Sequence, residues 1–584
     1  MSFQYRHKKK NPNSNDARLS IIKYSAGVFL FLIVLKLFLL QVVNYDLYAK
    51  AAENRHNLFL DLLPKRGQIY FKDLKKQDYS APAALNRDVY TVVADPKIIT
   101  ENFKDKNFLI ETLSKKLEIS AKEIEEKISK EKSRYEIIKK KVSDEVVEQL
   151  KLENLKGIVF ERVPARYYPE KNLASQELGY LGYDDSGIPK GFYGLEGYLN
   201  NLLSGEAGFL STERDARGGW LTLLPRTEKS AVDGANLYLT IDRTIEYVAC
   251  AALKDGIEKY QAKGGTVIIM NPQNGALLAM CNEPDFDPND YGSAEDLRLF
   301  NNDAIFTPYE PGSVFKVITM AAALDLGKVT PNTTFVDTGA LQFGPHIIRN
   351  AASKVYGEQT MTGVLKESIN TGAVFAAQKV GLENFKKYVK DFGFGVLTGI
   401  EMDKETPGSI ASLSDKSDIY LATASFGQGI TATPLQLVSS YAAIANKGRL
   451  YKPYIVEETR YADGHLDKTS PRLIRQVISE RAARLLSGMM TIVVKEGHGR
   501  AANVPGYYIA GKTGTAQIPG PGGKYIEGST NQTFIGFGPV DNPQFVMLVK
   551  YVEPNVLYAE SSAVPTFGEI AKFLVQYLEI PPSK

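Results

Sequence analysis

Cysteine, histidine and tryptophan are scarce in this chain of 584 residues, which contains two cysteines, five histidines and one tryptophan. The histidines are scattered and form no His-Glu-x-x-His pattern, which argues against a zinc hydrolase. Cys250 and Cys281 show no metal-ligand spacing, and the sequence favours their interpretation as two small buried hydrophobic residues. The net charge of +3 is small for this length, so composition indicates no nucleic acid or other polyanion as a partner.

One long apolar run lies near the N-terminus. The segment SIIKYSAGVFLFLIVLKLFLLQVV, residues 20–43, is long enough to cross a bilayer as a single helix. Five basic residues precede it, so the positive-inside rule predicts that residues 1–19 form a cytoplasmic tail and that everything after Asn44 lies outside. We expect a single-pass anchor in the cytoplasmic membrane. The competing interpretation is a cleaved signal peptide, because AKA at 49–51 resembles a cleavage site.

The composition changes near residue 235. From 50 to 235, short β-like pieces such as DVYTVVADP accompany lysine- and glutamate-rich amphipathic helices between about residues 100 and 155. The stretch DGANLYLTIDRTIEYVACAALKDG, residues 233–256, then predicts a strand that leads into an apolar helix. We therefore expect one domain over 50–235 and a second over 236–584.

The second domain is predicted to be α+β. GGTVIIMNPQNGALLAMCNEP predicts a β-hairpin that turns at Asn271 to Gly275, and QTFIGFGPVDNPQFVMLVKYVEP predicts another that turns at Asp541 to Pro543. Between the hairpins, helices are predicted after Ser313 and over 361–392, 434–447 and 479–495. Hairpins at both ends predict that the two ends of the domain share one antiparallel sheet flanked by helices.

Ser313 and Lys316 are the first candidate catalytic residues. They follow a proline-glycine break in YEPGSVFKVITMAAALDLG, and their spacing of i and i+3 places them on the same face of an apolar helix. A serine hydroxyl needs an adjacent base to become a nucleophile. A lysine is such a base only when it is neutral, which burial or a neighbouring positive charge favours. The pair is therefore either a nucleophile beside its base or a coincidence of packing.

Two further motifs carry hydroxyl, amide and ammonium groups. KESINTGAVFAAQ presents Ser368 and Asn370 just before an apolar helix, where the alternative function of either residue is to cap that helix. YYIAGKTGTAQ predicts a strand that contains Lys512, Thr513, Gly514 and Thr515. Its glycines leave room for an extended peptide to lie alongside the strand, and its threonine hydroxyls suit a carboxylate.

These motifs resemble those of penicillin-binding proteins and serine β-lactamases, which share Ser-x-x-Lys, Ser-x-Asn and Lys-Thr-Gly in this order. GTVIIMNPQNGALLAMCNEPDFDPNDY, FNNDAIFTPYEPGSVFK, ASFGQGITATPLQLVSSYAAIANKG and NQTFIGFGPVDNPQ resemble the transpeptidase domain of the class B proteins. Upstream, KRGQIY, RYYP, ELGYLG and GLEGYLNNLLSGEAG are similar to the α+β pedestal, or dimerisation-like domain, of the same class.

The resemblance implies a D,D-transpeptidase that cross-links the stem peptides of peptidoglycan and is acylated by β-lactams. By resemblance, Ser313 is the nucleophile, Lys316 takes its proton, Ser368 relays protons and Asn370 orients Lys316 and the substrate amide. Lys512 adds electrostatic help. Thr513, Gly514 and Thr515 belong to the substrate-binding strand, and the backbone N–H groups of Ser313 and Thr515 form the oxyanion hole. No metal or organic cofactor is implied.

Several alternatives stay open at this stage. A β-lactamase or penicillin sensor shares the three motifs, but this chain has the pedestal and the anchor and lacks an ExxLN-like segment. A bifunctional class A synthase needs a glycosyltransferase domain, so we expect polymerisation to come from a separate membrane glycosyltransferase of the SEDS family. FGQGITATPLQL and FGFGVLTGIE resemble the cell-division type and predict other divisome partners. The remaining alternatives are an elongation-type enzyme and a catalytically silent scaffold.

Overall fold

The computed structural model describes residues 13–45, 57–76, 78–103, 106–213, 227–520, 522 and 524–583. The chain forms two compact units, one comprising Met1–Pro64 and Glu206–Val232 and the other Lys65–Gly205 and Asp233–Lys584. This division differs from the domain boundary that the composition indicates near residue 235, and that boundary stays a prediction. Residues 1–12 of the predicted tail and the AKA sequence at 49–51 lie outside the described residues.

Strands and helices alternate along most of the chain. The strands are β1 (Asn57–Leu62), β2 (Ile69–Asp73), β3 (Asp78–Ala94), β4 (Glu136–Val142), β5 (Ile158–Tyr167), β6 (Tyr180–Tyr183), β7 (Pro189–Phe192), β8 (Gly208–Glu213), β9 (Thr227–Lys229), β10 (Asn236–Asp242), β11 (Gly264–Met270), β12 (Leu277–Glu283), β13 (Thr334–Asp337), β14 (Ala340–Phe343), β15 (His346–Arg349), β16 (Gly357–Thr360), β17 (Arg449–Tyr451), β18 (Val456–Arg460), β19 (Leu466–Lys468), β20 (Leu473–Gln476), β21 (Ala510–Pro519), β22 (Tyr525–Gly538) and β23 (Phe545–Val552). The α-helices are Asn13–Phe38, Pro96–Asn102, Asn107–Leu117, Ala121–Ile128, Asp144–Leu152, Ser175–Leu178, Gly194–Tyr198, Asn200–Ser204, Arg243–Tyr260, Asp303–Phe306, Lys316–Asp325, Met361–Lys366, Asn370–Val380, Leu382–Asp391, Asp418–Ala424, Pro434–Ala445, Glu480–Glu496 and Ala563–Tyr577.

The first unit contains the N-terminal helix and a small sheet. The helix over Asn13–Phe38 continues as a π-helical stretch over Leu39–Val43. Its segment Leu19–Val43 is long and apolar enough to cross a membrane, and none of it is buried within the protein. The predicted apolar span of 20–43 is thus helical throughout. Strands β1, β8 and β9 form a separate antiparallel sheet in this unit.

In the second unit, one sheet joins strands from both sides of residue 235. Its order is β19-β18-β10-β2-β3-β4, and β5 also pairs with β3. Strand β10 runs parallel to β2 and antiparallel to β18. The predicted strand and apolar helix near residues 233–256 are confirmed as β10 and the Arg243–Tyr260 helix. This shared sheet makes the upstream region continuous with the domain that follows.

Three motifs of the upstream region meet in a buried ion-pair cluster. Glu196, from GLEGYL, is fully buried and accepts hydrogen bonds of 2.7 Å from Arg66 Nε and from Arg166 Nε. Arg66 belongs to KRGQIY, and Arg166 is the first residue of RYYP. Burial alone would raise the pKa of Glu196, but the guanidinium groups of Arg166 and Arg66 hold it below its usual value.

The five-stranded antiparallel sheet has the order β12-β11-β23-β22-β21. The two predicted hairpins are confirmed as β11–β12 and β22–β23, and β11 pairs directly with β23. Because side chains alternate along a strand, this sheet supports two hydrophobic cores. Ile268 and Met270 pack into one, together with the Lys316–Asp325 helix, whereas Val267 and Ile269 pack into the other, against the Arg243–Tyr260 and Ala563–Tyr577 helices. The predicted α+β class with a shared sheet is confirmed.

The predicted helix over 361–392 is instead three helices. They are Met361–Lys366, Asn370–Val380 and Leu382–Asp391. The first break lies at Ser368, which has a φ of +57°, and the second at Gly381, which has a φ of +79°. Both angles lie in the left-handed region, which ends a right-handed helix.

The prediction that Cys250 and Cys281 are two small buried hydrophobic residues was wrong, because they form a disulfide. Cys250 lies on the Arg243–Tyr260 helix and Cys281 on β12, at the edge of the sheet against which that helix packs. Packing brings their Cα atoms to 5.4 Å, within the range that a disulfide spans. The two cysteines are 31 residues apart in the sequence, and this spacing alone does not predict that they pair.

Candidate active site

Ser313 lies on a sharp turn that faces a cavity. The turn is a short 3₁₀ helix over Gly312–Phe315 that leads directly into the Lys316–Asp325 helix. Gly312 has a φ of +58°, a conformation that favours glycine, and its N–H donates a hydrogen bond of 3.1 Å to the carbonyl of Gly427. Ser313 is half-buried and lines a cavity of about 360 Å³. The proline-glycine break therefore delivers a serine to the wall of a cavity.

Two buried lysines converge on Ser368. Lys316 Nζ donates hydrogen bonds to the backbone carbonyl of Ser368 and, at 3.2 Å, to its Oγ. Lys512 Nζ donates to the same Oγ at 2.9 Å. When both lysines donate, the Ser368 hydroxyl keeps its own proton for another acceptor. The three motifs of the sequence are thus joined through one hydroxyl group.

The environment of the lysines favours their neutral forms. Lys316 is 1% exposed and Lys512 is fully buried. Burial lowers the pKa of Lys512 to about 7. Burial and, secondarily, the positive charge of Lys512 lower the pKa of Lys316 well below its ordinary value. The shift has the direction that a lysine needs in order to act as a base at neutral pH.

The strand that contains Lys512 forms an edge of the five-stranded sheet. Strand β21 pairs with β22 on one side only. Thr513 and Thr515 line the same cavity as Ser313. A Cβ atom added to Gly514 would lie 3.0 Å from Val314 Cγ1 and 3.1 Å from the carbonyl oxygen of Pro311. Glycine at 514 therefore allows the strand to approach the nucleophile turn closely.

Asn370 lines the cavity, and among the described residues no hydrogen bond joins its side chain to Lys316. Its side-chain amide donates a hydrogen bond of 2.8 Å to the backbone carbonyl of Arg349. Within the described part of the chain, no hydrogen bond joins Ser313 Oγ to Lys316 Nζ either. Catalytic hydrogen bonds often form or tighten only when substrate is bound. The orienting role predicted for Asn370 stays a prediction.

A buried aspartate holds the Ser368–Asn370 segment in place. Asp337 accepts hydrogen bonds from Thr371 Oγ1 at 2.6 Å and from Asn350 Nδ2 at 2.9 Å. Asn350 Oδ1 in turn accepts from the backbone N–H of Asn370 at 3.0 Å. Burial alone would raise the pKa of Asp337, but the hydrogen bonds it accepts, led by that of Thr371, hold it below its usual value.

Two family models match the chain. The model of the penicillin-binding protein transpeptidase domain matches residues 265–572, which is more than half of the chain. The chain belongs to the penicillin-binding proteins. A second model, the penicillin-binding protein dimerisation domain, matches residues 61–239. The resemblance to class B penicillin-binding proteins stated from the motifs is therefore confirmed.

Named relatives and solved structures agree with this assignment. The chain is 34% identical over 566 residues to stage V sporulation protein D of Bacillus subtilis, covering 96% of this chain and 85% of the relative. It is 29% identical to the probable peptidoglycan D,D-transpeptidase PenA of Neisseria gonorrhoeae, covering 98% and 95%. The crystal structure of penicillin-binding protein 3 from Mycobacterium tuberculosis with aztreonam is 26% identical, with a TM-score of 0.68, and the match covers 90% of this chain and 98% of that one.

In this penicillin-binding protein, the cavity also contains residues that no motif indicated. His498 Nδ1 and Glu560 Oε2 lie 2.7 Å apart at its rim. Glu310, which precedes the nucleophile turn, accepts hydrogen bonds of 2.9 Å from the N–H of Gly429 and from Tyr525 Oη. His498 and Glu560 come from segments that are distant in sequence from the motifs, so only the fold reveals that they line the cavity.

Potential metal donors come together at a different place. Among the described residues, Glu246, Cys250 and Cys281 have donor atoms within 4.8 Å of one another. The two sulfur atoms are bonded to each other and are therefore not available as thiolate ligands. The motif residues beside Ser313 carry hydroxyl, amide and ammonium groups, which are poor metal ligands. The expectation that catalysis needs no metal or organic cofactor stays a prediction.

Proposed function

We propose that this protein is a class B peptidoglycan D,D-transpeptidase that works through an acyl-enzyme on Ser313. The observation that carries the proposal is the convergence of Lys316 and Lys512 on Ser368 beside a cavity that Ser313 and Thr515 also line. Several relatives carry the name peptidoglycan D,D-transpeptidase, and one solved relative is in complex with the β-lactam aztreonam. The chain length and the two matched domains fit such an enzyme.

The first step transfers the donor peptide to Ser313. Neutral Lys316 takes the hydroxyl proton, and Ser313 Oγ attacks the carbonyl carbon of the penultimate D-alanine. The backbone N–H groups of Ser313 and Thr515 stabilise the oxyanion, with each donor worth about 3 kcal/mol. The amide C–N bond then breaks, and Ser368 relays to the nitrogen of the leaving D-alanine the proton that Lys316 took, so that Lys316 is neutral again. An ester between Ser313 and the donor peptide remains.

The second step transfers that peptide to an acceptor. An amine from a neighbouring stem peptide attacks the ester carbonyl, gives a proton to Lys316 and forms the new amide bond. Ser313 Oγ leaves and recovers that proton from Lys316. Before acylation, the donor lies along the free edge of β21 as an added strand, and Thr513 and Thr515 bind its terminal carboxylate beside Gly514, with Lys512 adding positive charge when protonated. Asn370 orients Lys316 and the substrate amide once the peptide occupies the cavity.

The protein acts outside the membrane in septal wall synthesis. Residues 20–43, within the apolar helical segment Leu19–Val43, anchor it in the cytoplasmic membrane as a single pass, with residues 1–19 in the cytoplasm and the catalytic domain outside. The pedestal spans residues 50–235 and the transpeptidase domain 236–584. A SEDS-family glycosyltransferase supplies the glycan strand, and other divisome proteins bind alongside. An elongation-type role for the same chemistry is the alternative.

The test is acylation by a β-lactam. Full-length protein in detergent is incubated with benzylpenicillin and weighed intact by mass spectrometry, beside the Ser313→Ala variant. We expect a stable adduct of one penicillin on the wild type and none on the variant. The control is Ser186→Ala, which removes the hydroxyl of an exposed serine that does not line the cavity and should leave the adduct unchanged.

Other outcomes separate the alternatives. A folded wild type that forms no adduct with two classes of β-lactam would favour the catalytically silent scaffold. Rapid hydrolysis of the drug without a stable adduct would favour a β-lactamase. Release of D-alanine from a D-alanyl-D-alanine stem peptide with an added amine acceptor tests transpeptidation directly.

A further inference from the structure

The disulfide lines a second cavity that shares none of its lining residues with the catalytic one. This cavity has a volume of about 440 Å³. Cys250 is partly exposed on its wall, whereas Cys281 is only 3% exposed. The two sulfur atoms therefore differ in accessibility: a reagent that enters from the cavity reaches Cys250 first. The titratable residues that line the cavity are Glu170, Glu177, Glu246, Tyr247, Lys254, Glu283 and Asp285.

One of these carboxyl groups contacts both sulfur atoms. Glu246 is fully buried, and its Oε1 lies 3.5 Å from Cys281 Sγ and 3.7 Å from Cys250 Sγ. Its Oε2 accepts a hydrogen bond of 2.8 Å from the backbone N–H of Met280. The sulfur atoms of a disulfide carry no hydrogen, so they donate nothing to Oε1. A hydrogen bond at this contact therefore forms only when the carboxyl group carries the proton.

Glu177 makes the protonated form of Glu246 more stable. Glu177 is 2% exposed and accepts a hydrogen bond of 2.7 Å from Asn302 Nδ2. Burial raises the pKa of Glu177 to about 8, and burial together with the charge of Glu177 raises the pKa of Glu246 well above its ordinary value. No lysine or arginine among the described residues forms an ion pair with either carboxyl group.

We propose that Cys250–Cys281 is a thiol–disulfide exchange site in which Glu246 protonates the sulfur atom that leaves. A dithiol approaches through the cavity, and its thiolate attacks Cys250 Sγ. An intermolecular disulfide forms, the Cys250–Cys281 bond breaks, and its electron pair stays on Cys281 Sγ, which takes the proton of Glu246. The second thiol of the reductant, after losing its proton, attacks the intermolecular disulfide and releases Cys250. The reductant becomes a disulfide, and two electrons and two protons reach the protein.

Burial of the leaving group explains why a proton donor is needed. A thiolate at Cys281 would be a negative charge in an apolar core that contains Phe534 and Val549. Exchange also slows as the leaving sulfur becomes a poorer leaving group, and an unsolvated thiolate is a poor one. A proton delivered at 3.5 Å removes the charge as it forms. The carboxylate of Glu246 then recovers a proton that the dithiol has released.

The charge around the cavity indicates the kind of reductant. Glu283 and Asp285 line it together with a single lysine, Lys254, whereas the Glu170 carboxylate is paired with Arg243. A dithiol protein with basic residues beside its reactive thiol fits these two carboxyl groups better than an anionic small thiol. Exchange would remove the covalent link between the Arg243–Tyr260 helix and β12, the edge strand opposite β21, while their hydrophobic packing stays in place. The disulfide would thus serve as a removable link at the far edge of the catalytic sheet.

The first experiment measures the rate of reduction without denaturant. Full-length protein in detergent at neutral pH is treated with dithiothreitol, quenched with iodoacetamide and weighed intact. We expect Glu246→Gln, which keeps the acceptor for Met280, to slow reduction at least about tenfold, because a general acid typically contributes that much or more. The matched control is Glu283→Gln, also on the cavity wall but without a contact to sulfur, and it should stay within about twofold of wild type.

A second experiment tests the unequal accessibility of Cys250 and Cys281. It keeps the proposal testable if the Glu246→Gln variant does not fold. The single variants Cys281→Ser and Cys250→Ser each leave one thiol, and their alkylation rates are compared. We expect the thiol of Cys250 to react at least about tenfold faster than that of Cys281 because only the former is exposed to the cavity. Equal rates in wild type and Glu246→Gln, or reduction only after unfolding, would overturn the proposal. So would faster alkylation of Cys281. Thiol counting does not depend on the transpeptidase proposal, so the two proposals can fail separately.

Discussion

Lys512 Nζ donates a hydrogen bond of 2.9 Å to Ser368 Oγ, which joins the edge strand of the five-stranded sheet to the loop before the Asn370–Val380 helix. Because Lys316 donates to the same oxygen atom, the proton of Ser368 is directed away from both lysines. Strand, loop and nucleophile helix therefore form one hydrogen-bonded unit. Substitutions at any of the three positions should change proton transfer at the others.

Replacing Lys316 by methionine should remove the base and preserve most of the packing. We expect the rate of acylation by a fluorescent penicillin to fall by about 10²- to 10⁴-fold, the usual contribution of a general base. The control is Lys328→Met, on an exposed position just after the same helix, which should leave the rate unchanged. A Lys316 variant that acylates at the wild-type rate would show that another group takes the proton.

The acidic limb of the acylation–pH profile should depend on Lys512. Acylation requires neutral Lys316, so the rate falls as the pH drops through the pKa of Lys316. The positive charge of Lys512 lowers that pKa, so Lys512→Met should raise it and move the limb to higher pH. Stopped-flow acylation across the pH range measures the position of the limb. A limb that stays in place would mean that burial alone sets the pKa of Lys316.

Gly514→Ala should separate the strand from the nucleophile turn. The added methyl group would lie 3.0 Å from Val314 Cγ1 and 3.1 Å from the carbonyl oxygen of Pro311, so β21 must shift. Small displacements of catalytic groups reduce rates strongly, and we expect acylation to fall by about 10- to 100-fold. Gly488→Ala, where nothing lies within 4 Å, is the control and should acylate normally. Thermal unfolding should show that both variants are folded.

Lys550 should reduce stability in a pH-dependent way. It is 3% exposed, lies 4.5 Å from the centre of the Tyr309 ring, and burial lowers its pKa to about 8. Since the unfolded chain has the ordinary, higher pKa, it binds more protons than the folded chain between about pH 8 and 10.5, and stability rises with pH in that window.

Lys550→Met removes this dependence. The gain in unfolding free energy over wild type, measured in urea, should be larger at pH 7 than at pH 10 by about 2 kcal/mol. Other groups titrate equally in both proteins and cancel in the comparison. An equal gain at the two pH values would contradict the lowered pKa.

Glu196→Gln should destabilise the pedestal by leaving the guanidinium groups of Arg66 and Arg166 without a buried counter-charge. Removal of one partner from a buried ion pair typically costs about 3–5 kcal/mol. In the wild type, the lowered pKa of Glu196 provides stability that is present above its ordinary pKa and lost as the pH falls through its folded value. The control Glu579→Gln breaks an exposed ion pair with Lys75 and should have little effect.

Local patterns predicted much of this structure. The two hairpins, the strand–helix pair at 236–260 and the apolar N-terminal helix follow from alternation, turn residues and length, which are properties of short segments. The motifs also predicted Ser313, Lys316, Ser368, Lys512 and Thr515 as site residues; the fold brings them together, and their catalytic roles stay predictions. A segment can signal these features because its own residues determine them.

Contacts between distant segments could not be predicted in this way. The disulfide depends on how a helix crosses an edge strand, and the side chain of Asn370 turns toward Arg349 because β15 lies beside it. The helix breaks at Ser368, whose hydroxyl accepts hydrogen bonds from two lysines. The helical spacing of apolar residues in this segment does not predict such a break. Tertiary packing selected among conformations that each segment allowed.

The pairing of β11 with β23 places the first and last strands of the catalytic sheet side by side. During synthesis, β11 and β12 emerge long before their partner exists, and β11 meanwhile presents an unpaired, apolar edge. The sheet closes only when nearly the whole chain has been made. A chain truncated before β23 therefore lacks the central strand pairing of this sheet.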